Sequence, residues 1–188
     1  MWTLSGFVDE ISADFTEQCR VASGLGLRYV ELRSAWGVNI LDLDAAQLAT
    51  MRNTLTTYEL RVSSIGSPIG KIFIDEPFAP HLERMRHAAE LARDFGAPYI
   101  RIFSFFLRPG ADPAAHRDEV IERMRALARI AEDADLILLH ENEKIRMYGA
   151  SKECAISAAC RIRSRCGAKS SSMKILPIGE PMLETARP

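Results

Sequence analysis

The chain has 188 residues, of which 47% are hydrophobic and 26% charged, and its formal net charge is −1. This is the composition of an ordinary globular domain, and the near-neutral balance gives no reason to expect nucleic acid or an anionic membrane as a partner. The first residues carry acidic side chains and no basic stretch, and the longest charge-free run, 62–70, is about half a membrane span. We therefore expect a cytoplasmic protein.

Short apolar runs rich in Val, Ile, Tyr and Phe recur along the chain, and each is followed by a longer segment of helical periodicity. The runs predict strands at 4–8, 28–32, 61–65, 99–103 and 136–140. The intervening segments predict helices at 14–23, 45–58, 81–95 and 113–134. Asp44 and Asp112 are the expected N-caps of the second and fourth helices, and Cys19 is expected in the core. His81 and the other helical histidines are expected to face solvent.

Alternation of strands and helices with such long crossovers favours a parallel sheet covered by helices. An open, nucleotide-binding sheet would carry a Gly-rich turn after an early strand, and none follows the first strand here. Polar residues end all five strands instead, as on the catalytic face of a (β/α)8 barrel. The sequence therefore predicts an α/β fold of the (β/α)8 barrel type that is incomplete, with about five of the eight βα units.

The composition changes near residue 150. Residues 1–149 hold 17 Lys and Arg against 22 Asp and Glu, whereas 150–188 hold seven against three and three of the four cysteines. We predict a partial barrel domain over 1–154 and a divergent, partly disordered and irregular C-terminal tail over 155–188, with at most one edge strand near Leu176. The tail cysteines are six residues apart and share no helix face, so they do not predict a zinc site.

The segment 136–144 changes abruptly from an apolar strand into polar residues, including His140 and Glu141. Carboxylate and imidazole groups at a strand end suit Mg, Mn, Zn or Co, and a solvated loop is the alternative interpretation. Because successive strand residues alternate in direction, His140 is expected to point away from Glu141, under the helices.

Four stretches in chain order resemble the xylose isomerase-like superfamily of sugar isomerases and epimerases, which are TIM barrels. They are YVELRSAWG at 29–37, VSSIGSPIGK at 62–71, YIRIFS at 99–104, and LLHENEK at 138–144 followed by MYG. The resemblance implies a divalent metal (Mn, Mg, Co or Zn) held by a Glu after the fifth strand and by Asp, His and Glu from later strands. Glu141 matches the first ligand; the others have no counterpart in this sequence.

The resemblance also implies that Glu141 is catalytic and that the substrate is a small sugar or sugar phosphate. A metal-polarised ketose would lose a proton to one Glu and regain it from another, through an enediolate-like intermediate. Glu31, Arg33, Arg101 and Lys71 are the candidate substrate-binding residues. For Glu31 and Arg33 an internal salt bridge is the alternative, and for Arg101 a structural role.

Three functions remain open on the sequence alone. The first is a metal-dependent sugar isomerase or epimerase, impaired by truncation. The second is an inactive, truncated or frame-shifted family member, in which open sheet edges would favour poor solubility or a homodimer. The third, weaker alternative is an endonuclease-like DNA repair barrel, which would need a basic face that residues 1–149 lack.

Overall fold

The computed structural model describes residues 3–141 and the short strand at 176–177. Four α-helices cover one face of a sheet: α1 (Phe15–Gly24), α2 (Ala45–Thr57), α3 (Ala79–Asp94) and α4 (Arg117–Asp133). The strands are β1 (Tyr29–Leu32), β2 (Ser34–Ala35), β3 (Val38–Asn39), β4 (Arg61–Gly66), β5 (Tyr99–Ile102), β6 (Ile137–His140) and β7 (Leu176–Pro177). Two 3-10 helices lie at Ile40–Asp42 and Pro113–His116.

The main sheet has the order β1-β4-β5-β6-β7, and every neighbouring pair is parallel. The strands therefore follow one another in space as they do along the chain, with α2, α3 and α4 as successive crossovers. This is the order of a (β/α)8 barrel, whereas the strand order of a doubly wound sheet reverses at a switch point. The predicted α/β fold, a barrel type that is incomplete, is confirmed.

Local sequence signals fix the helix starts. The Asp44 side chain accepts a hydrogen bond from the backbone N–H of Gln47, and the Gln47 side chain accepts one from the backbone N–H of Asp44, forming a capping box. The Asp112 side chain caps the 3-10 helix Pro113–His116 rather than α4 itself, which begins four residues later than predicted, at Arg117. The apolar stripe of α4 is buried against the sheet at Val120, Met124, Leu127 and Ala131. Cys19 is fully buried, as predicted.

The first predicted strand, 4–8, is wrong. Only Phe7 forms a bridge, to Glu31 of β1, beside a hydrogen bond of 2.9 Å from the Glu31 N–H to the Gly6 carbonyl. Leu4 is 70% exposed. Because Leu4 packs against nothing on the sheet, burial does not stabilise a strand at the start of this segment. Pairing with β1 is confined to the residues next to Val8, which is buried.

The last predicted strand is not an open edge. Residues 139 and 140 of β6 are in register with Leu176 and Pro177 of β7, so this edge of the sheet is paired. The short edge strand expected near Leu176 is therefore present, and its partner is β6. Among the described residues, no helix is long and apolar enough to cross a membrane.

Side chains of the strands alternate between two faces of the sheet. Val30, Ile100, Ile102 and Leu138 are buried in the core between sheet and helices. The alternate positions, which include Glu31, Arg101 and Leu139, face the concave inner side. Because this side carries the charged residues and ends at the strand carboxyl termini, it holds the candidate site.

Candidate functional site

Parallel strands bring their carboxyl ends to one edge of the sheet, and the predicted site residues collect there. Arg33 follows β1, Ser67 follows β4, Arg101 lies in β5 opposite Gly66, and Glu141 follows β6. The backbone N–H of Glu141 donates to the carbonyl of Ile102 at 3.0 Å, which extends the pairing of β5 and β6 up to this residue. Side chains from four successive strands of the sheet therefore meet at this edge.

Arg101 and Glu141 form the central pair of the site. The Arg101 guanidinium donates from Nη1 to Glu141 Oε2 at 3.1 Å and from Nη2 to the Ser67 carbonyl at 3.2 Å. The Arg101 side chain is 7% exposed, whereas that of Glu141 is 35% exposed. The Glu141 carboxylate is thus hydrogen-bonded on its buried side by the Arg101 cation, and its other side is accessible to solvent. Ser67 makes a second hydrogen bond to the same residue, because its hydroxyl donates to the Arg101 carbonyl at 2.5 Å.

Arg33 is engaged on the neighbouring strand. It donates to both carboxylate oxygens of Asp9, at 2.7 and 2.9 Å, and to Glu10 at 3.1 Å, while the Ser34 hydroxyl also donates to Asp9. Burial alone would raise the pKa of Asp9, but the hydrogen bonds from Arg33 and Ser34 hold it below its usual value. Arg33 therefore makes an internal salt bridge, with Asp9 rather than Glu31 as its main partner.

Glu31 lies half-buried on the inner face, near Arg101 and Glu141. Burial raises the pKa of Glu31; the positive charge of Arg101 opposes this rise, and the negative charge of Glu141 adds to it. The three side chains therefore interact electrostatically: the Arg101 guanidinium attracts the carboxyl groups of both Glu31 and Glu141, which differ in exposure. The Glu31 carboxyl group keeps its proton to a higher pH than an ordinary Glu.

Lys71 lies at the mouth of the site, with its Nζ 4.2 Å from the centre of the Phe103 ring. The loop that carries it is fixed at Gly70, which has a φ of +93° and whose N–H donates to His81 Nε2 at 2.7 Å. Burial, then the charges of Arg84 and Arg123, lower the pKa of His81 to about 4, so its Nε2 stays free to accept this bond at neutral pH.

The expectation that His81 faces solvent is wrong, because only 6% of it is exposed. The sequence contained the signal: residues 81, 85, 88 and 92 have helical spacing, and the last three, Met85, Ala88 and Ala92, are buried on α3. A histidine on this stripe packs into the core and finds its hydrogen bond in the β4–α3 loop.

His140 points away from the site. It pairs in register with Ile102, whose side chain is in the core, and only 6% of it is exposed. Burial lowers its pKa to about 4, and its Nε2 has no hydrogen-bond partner among the described residues. The predicted direction agrees with this placement, and His140 does not share a face with Glu141.

The described residues do not fit a metal site by themselves. Residues 3–141 contain no group of three or more His, Cys, Asp or Glu side chains that could hold an ion. Glu141 is the predicted ligand, and its carboxylate is bound to the Arg101 cation, which would repel a second cation placed beside it. The tail cysteines and the predicted boundary at 154 lie outside the described residues. Glu141 and Arg101 are therefore paired with each other rather than arranged to hold an ion.

The fold and the strand-end site define a (β/α)-barrel protein whose charged residues converge where barrel enzymes bind substrates. A profile of xylose isomerase-like TIM barrels matches residues 19–161. The chain belongs to this family. A search of curated proteins finds no match.

Solved structures share the fold at low sequence identity. A xylose isomerase-like TIM barrel protein from Mycobacterium smegmatis, in complex with magnesium, is 20% identical with a TM-score of 0.66, over 84% of this chain and 60% of its own. A D-allulose 3-epimerase from Methylomonas sp., in complex with D-allulose, is 20% identical with a TM-score of 0.59, over 77% and 53%. An AP endonuclease of family 2 from Brucella melitensis is 18% identical with a TM-score of 0.57, over 73% and 53%.

The chain thus spans between about half and three-fifths of the length of these three structures. Because their sequence identities to this chain are so low, they support the fold alone. An epimerase and an endonuclease both match, so the fold does not choose between sugar and DNA chemistry.

Proposed function

We propose that the strand-end face of this chain acts on a small sugar, as an isomerase or epimerase that moves a proton next to a carbonyl group. The observation that carries the proposal is the Glu141 carboxylate, which one buried guanidinium holds at 3.1 Å while 35% of its side chain stays exposed. A general base must be fixed in direction and open to the substrate, and Glu141 meets both conditions. Family membership and the sugar-bound neighbour support the substrate class.

The proposed proton transfer uses two carboxyl groups. Glu141 takes the proton from the carbon beside the ketose carbonyl, while protonated Glu31 donates its proton to the carbonyl oxygen, so that the sugar becomes an enediol. Glu31 then takes a hydroxyl proton from the enediol. Return of the carbon proton from Glu141 to the former carbonyl carbon gives the aldose, whereas a proton delivered by water to the opposite face of the first carbon, with Glu141 releasing its own proton to solvent, gives the epimer. The raised pKa of Glu31 supports its role as the acid, because burial favours its neutral form. Arg101 orients the Glu141 carboxylate from its buried side, and Arg33 and Lys71 are the groups that would bind the sugar hydroxyls.

Deuterium incorporation tests this proposal directly. The full chain is incubated in D2O with D-allulose, D-fructose or their phosphates, and exchange of the C–H protons next to the carbonyl is followed by NMR. Each reaction is run with and without Mg2+, because one structural neighbour is in complex with magnesium. We expect exchange with at least one ketose, and the comparison with the phosphates identifies the preferred class.

The matched variants are Glu141→Gln and Glu132→Gln, the second on the exposed surface of α4. Loss of a general base costs about 100-fold to 10,000-fold in rate, so E141Q should lose nearly all exchange and E132Q none. Equal rates in E141Q and the unaltered chain would show that Glu141 is not the base. No exchange with any sugar under either metal condition would favour the inactive alternative, and salt-dependent binding of abasic DNA would favour the endonuclease.

A further inference from the structure

A stack of alternating cations and aromatic rings crosses the strand ends. The Arg33 guanidinium carbon lies 4.7 Å from the centre of the Phe7 ring, and that of Arg101 lies 5.0 Å from the same ring. The guanidinium carbon of Arg101 also lies 4.7 Å from the centre of the Phe103 ring, which contacts Lys71 as well. These distances are those of cation–π contacts, which are strongest where water is excluded.

The Phe7 ring is seated on the sheet through Gly66. A Cβ at Gly66 would lie 2.7 Å from Phe7 Cε1, so the absence of a side chain at this position of β4 makes room for the ring. Phe7 is also the residue that bridges to Glu31 of β1. The ring is therefore held by its backbone at one end and by the surface of β4 beneath it.

The rings restrict how Arg101 can move. Its guanidinium is in contact with Phe7 and Phe103, so the two rings limit the directions in which its donors can point. Two of these donors bind Glu141 and the Ser67 carbonyl, while the buried Nε has no partner among the described residues. A guanidinium that rotated in this site would break both hydrogen bonds without gaining water in return.

We propose that Phe7 is a positioning residue: its ring clamps Arg101, and Arg101 in turn sets the direction of the Glu141 carboxylate. The proposal rests on the function proposed above for its consequence in catalysis, but the clamp itself is a structural property. The Phe7 ring also contacts Arg33, which Asp9 holds by two hydrogen bonds. The contacts therefore run from Arg33 at the end of β1, through Phe7 and Arg101, to Glu141 at the end of β6.

The variants are Phe7→Leu, which removes the ring and keeps an apolar side chain, and Phe7→Tyr, which keeps the ring. The matched control is Phe95→Leu, because Phe95 has its own cation–π contact with Arg52 at 5.2 Å, away from the strand ends. Both leucine variants remove one aromatic ring from contact with arginine. Only F7L removes a ring from contact with Arg101; F95L removes one from contact with Arg52.

Two NMR signals of the labelled full chain report the clamp without any need for activity. The Nε–H signal of Arg101, assigned by its loss in Arg101→Lys, should be shifted upfield by the two rings and should exchange slowly with water. The side-chain carboxyl carbon of Glu141 reports its hydrogen bond at a fixed pH. Because Phe7 is half-buried, its contact with Arg101 is partly desolvated, and in F7L we expect about tenfold faster Nε–H exchange together with a moved Glu141 signal. F7Y and F95L should leave both signals in place.

The exchange assay in D2O adds the catalytic consequence. F7L should lower kcat about tenfold with KM little changed, because the sugar still binds but the base is misaligned. Identical Arg101 and Glu141 signals in F7L and the unaltered chain would overturn the clamp, and so would equal disturbance in F95L. Normal behaviour of both signals together with no exchange in the unaltered chain would instead reject the proposed function and keep the clamp.

Discussion

A single methyl group at Gly70 should destabilise the chain far more than the same group at Gly96. Both glycines have positive φ values, +93° and +64°, so alanine at either position costs about 1–2 kcal/mol in the left-handed conformation. A Cβ at Gly96 would meet nothing within 4 Å, whereas at Gly70 it would lie 2.0 Å from the carbonyl oxygen of Phe103. No side-chain rotation relieves this overlap, because both atoms are fixed to the backbone.

The loop after β4 must therefore move away from β5 in Gly70→Ala. That movement breaks the hydrogen bond from the Phe103 N–H to the Ile69 carbonyl, at 2.7 Å, and the one from the Gly70 N–H to His81, also at 2.7 Å. Two buried hydrogen bonds contribute about 2 kcal/mol together, so the expected loss for G70A is about 3–4 kcal/mol. For G96A it is the conformational cost alone.

Urea unfolding of the two variants measures the difference directly. Gly24→Ala is a useful reference, because Gly24 ends α1, has no positive φ and meets nothing within 4 Å at its Cβ position, so its unfolding free energy should stay the same or rise. Losses that agree within about 0.5 kcal/mol for G70A and G96A, the usual scatter of neutral surface substitutions, would refute the packing of the β4–α3 loop on Phe103.

Two further predictions concern titration. Arg101 opposes the effect of burial on Glu31, so Arg101→Gln should raise the pKa of Glu31 further, as measured by carbon NMR of its carboxyl group; an unchanged or lower pKa would show that the two side chains do not interact. The pKa of His81 falls from its ordinary value of about 6.5 to about 4 in the folded chain. The unfolded chain then binds more protons over this range, so the free energy of unfolding should decrease as the pH falls from about 6.5 to 4. His81→Gln should flatten part of this decrease in urea titrations, leaving the share of His140, whose pKa falls likewise to about 4.

The elements that could be predicted from the sequence are those whose signals are local. Helix starts at Asp44 and Asp112 depend on residues two or three positions away, and the apolar stripe of α4 depends on a simple period. The placement of Arg101 and Glu141 at one edge also follows from local information, because the carboxyl ends of neighbouring parallel strands meet. Each of these inferences needed only a short window of sequence and a rule of geometry.

The contacts that make the site specific come from distant parts of the chain. Asp9 binds Arg33 across 24 positions, and Arg101 binds Glu141 across 40. Nothing in either segment indicates which of the several nearby charges becomes the partner. That choice depends on the side-chain directions at the strand ends, which are set by the packing of the whole sheet.

Phe7 is a residue whose role depends on a distant strand. The run around it predicts a regular strand, in which a phenylalanine would be one more core residue. In the structure the strand is reduced to one bridge, and the ring contacts two guanidinium groups at the strand ends. The ring fits there because residue 66 of another strand is a glycine. The contacts of Phe7 with the two arginines thus depend on a glycine 59 positions away in the sequence. This dependence can be recognised only when the two segments lie side by side on the sheet.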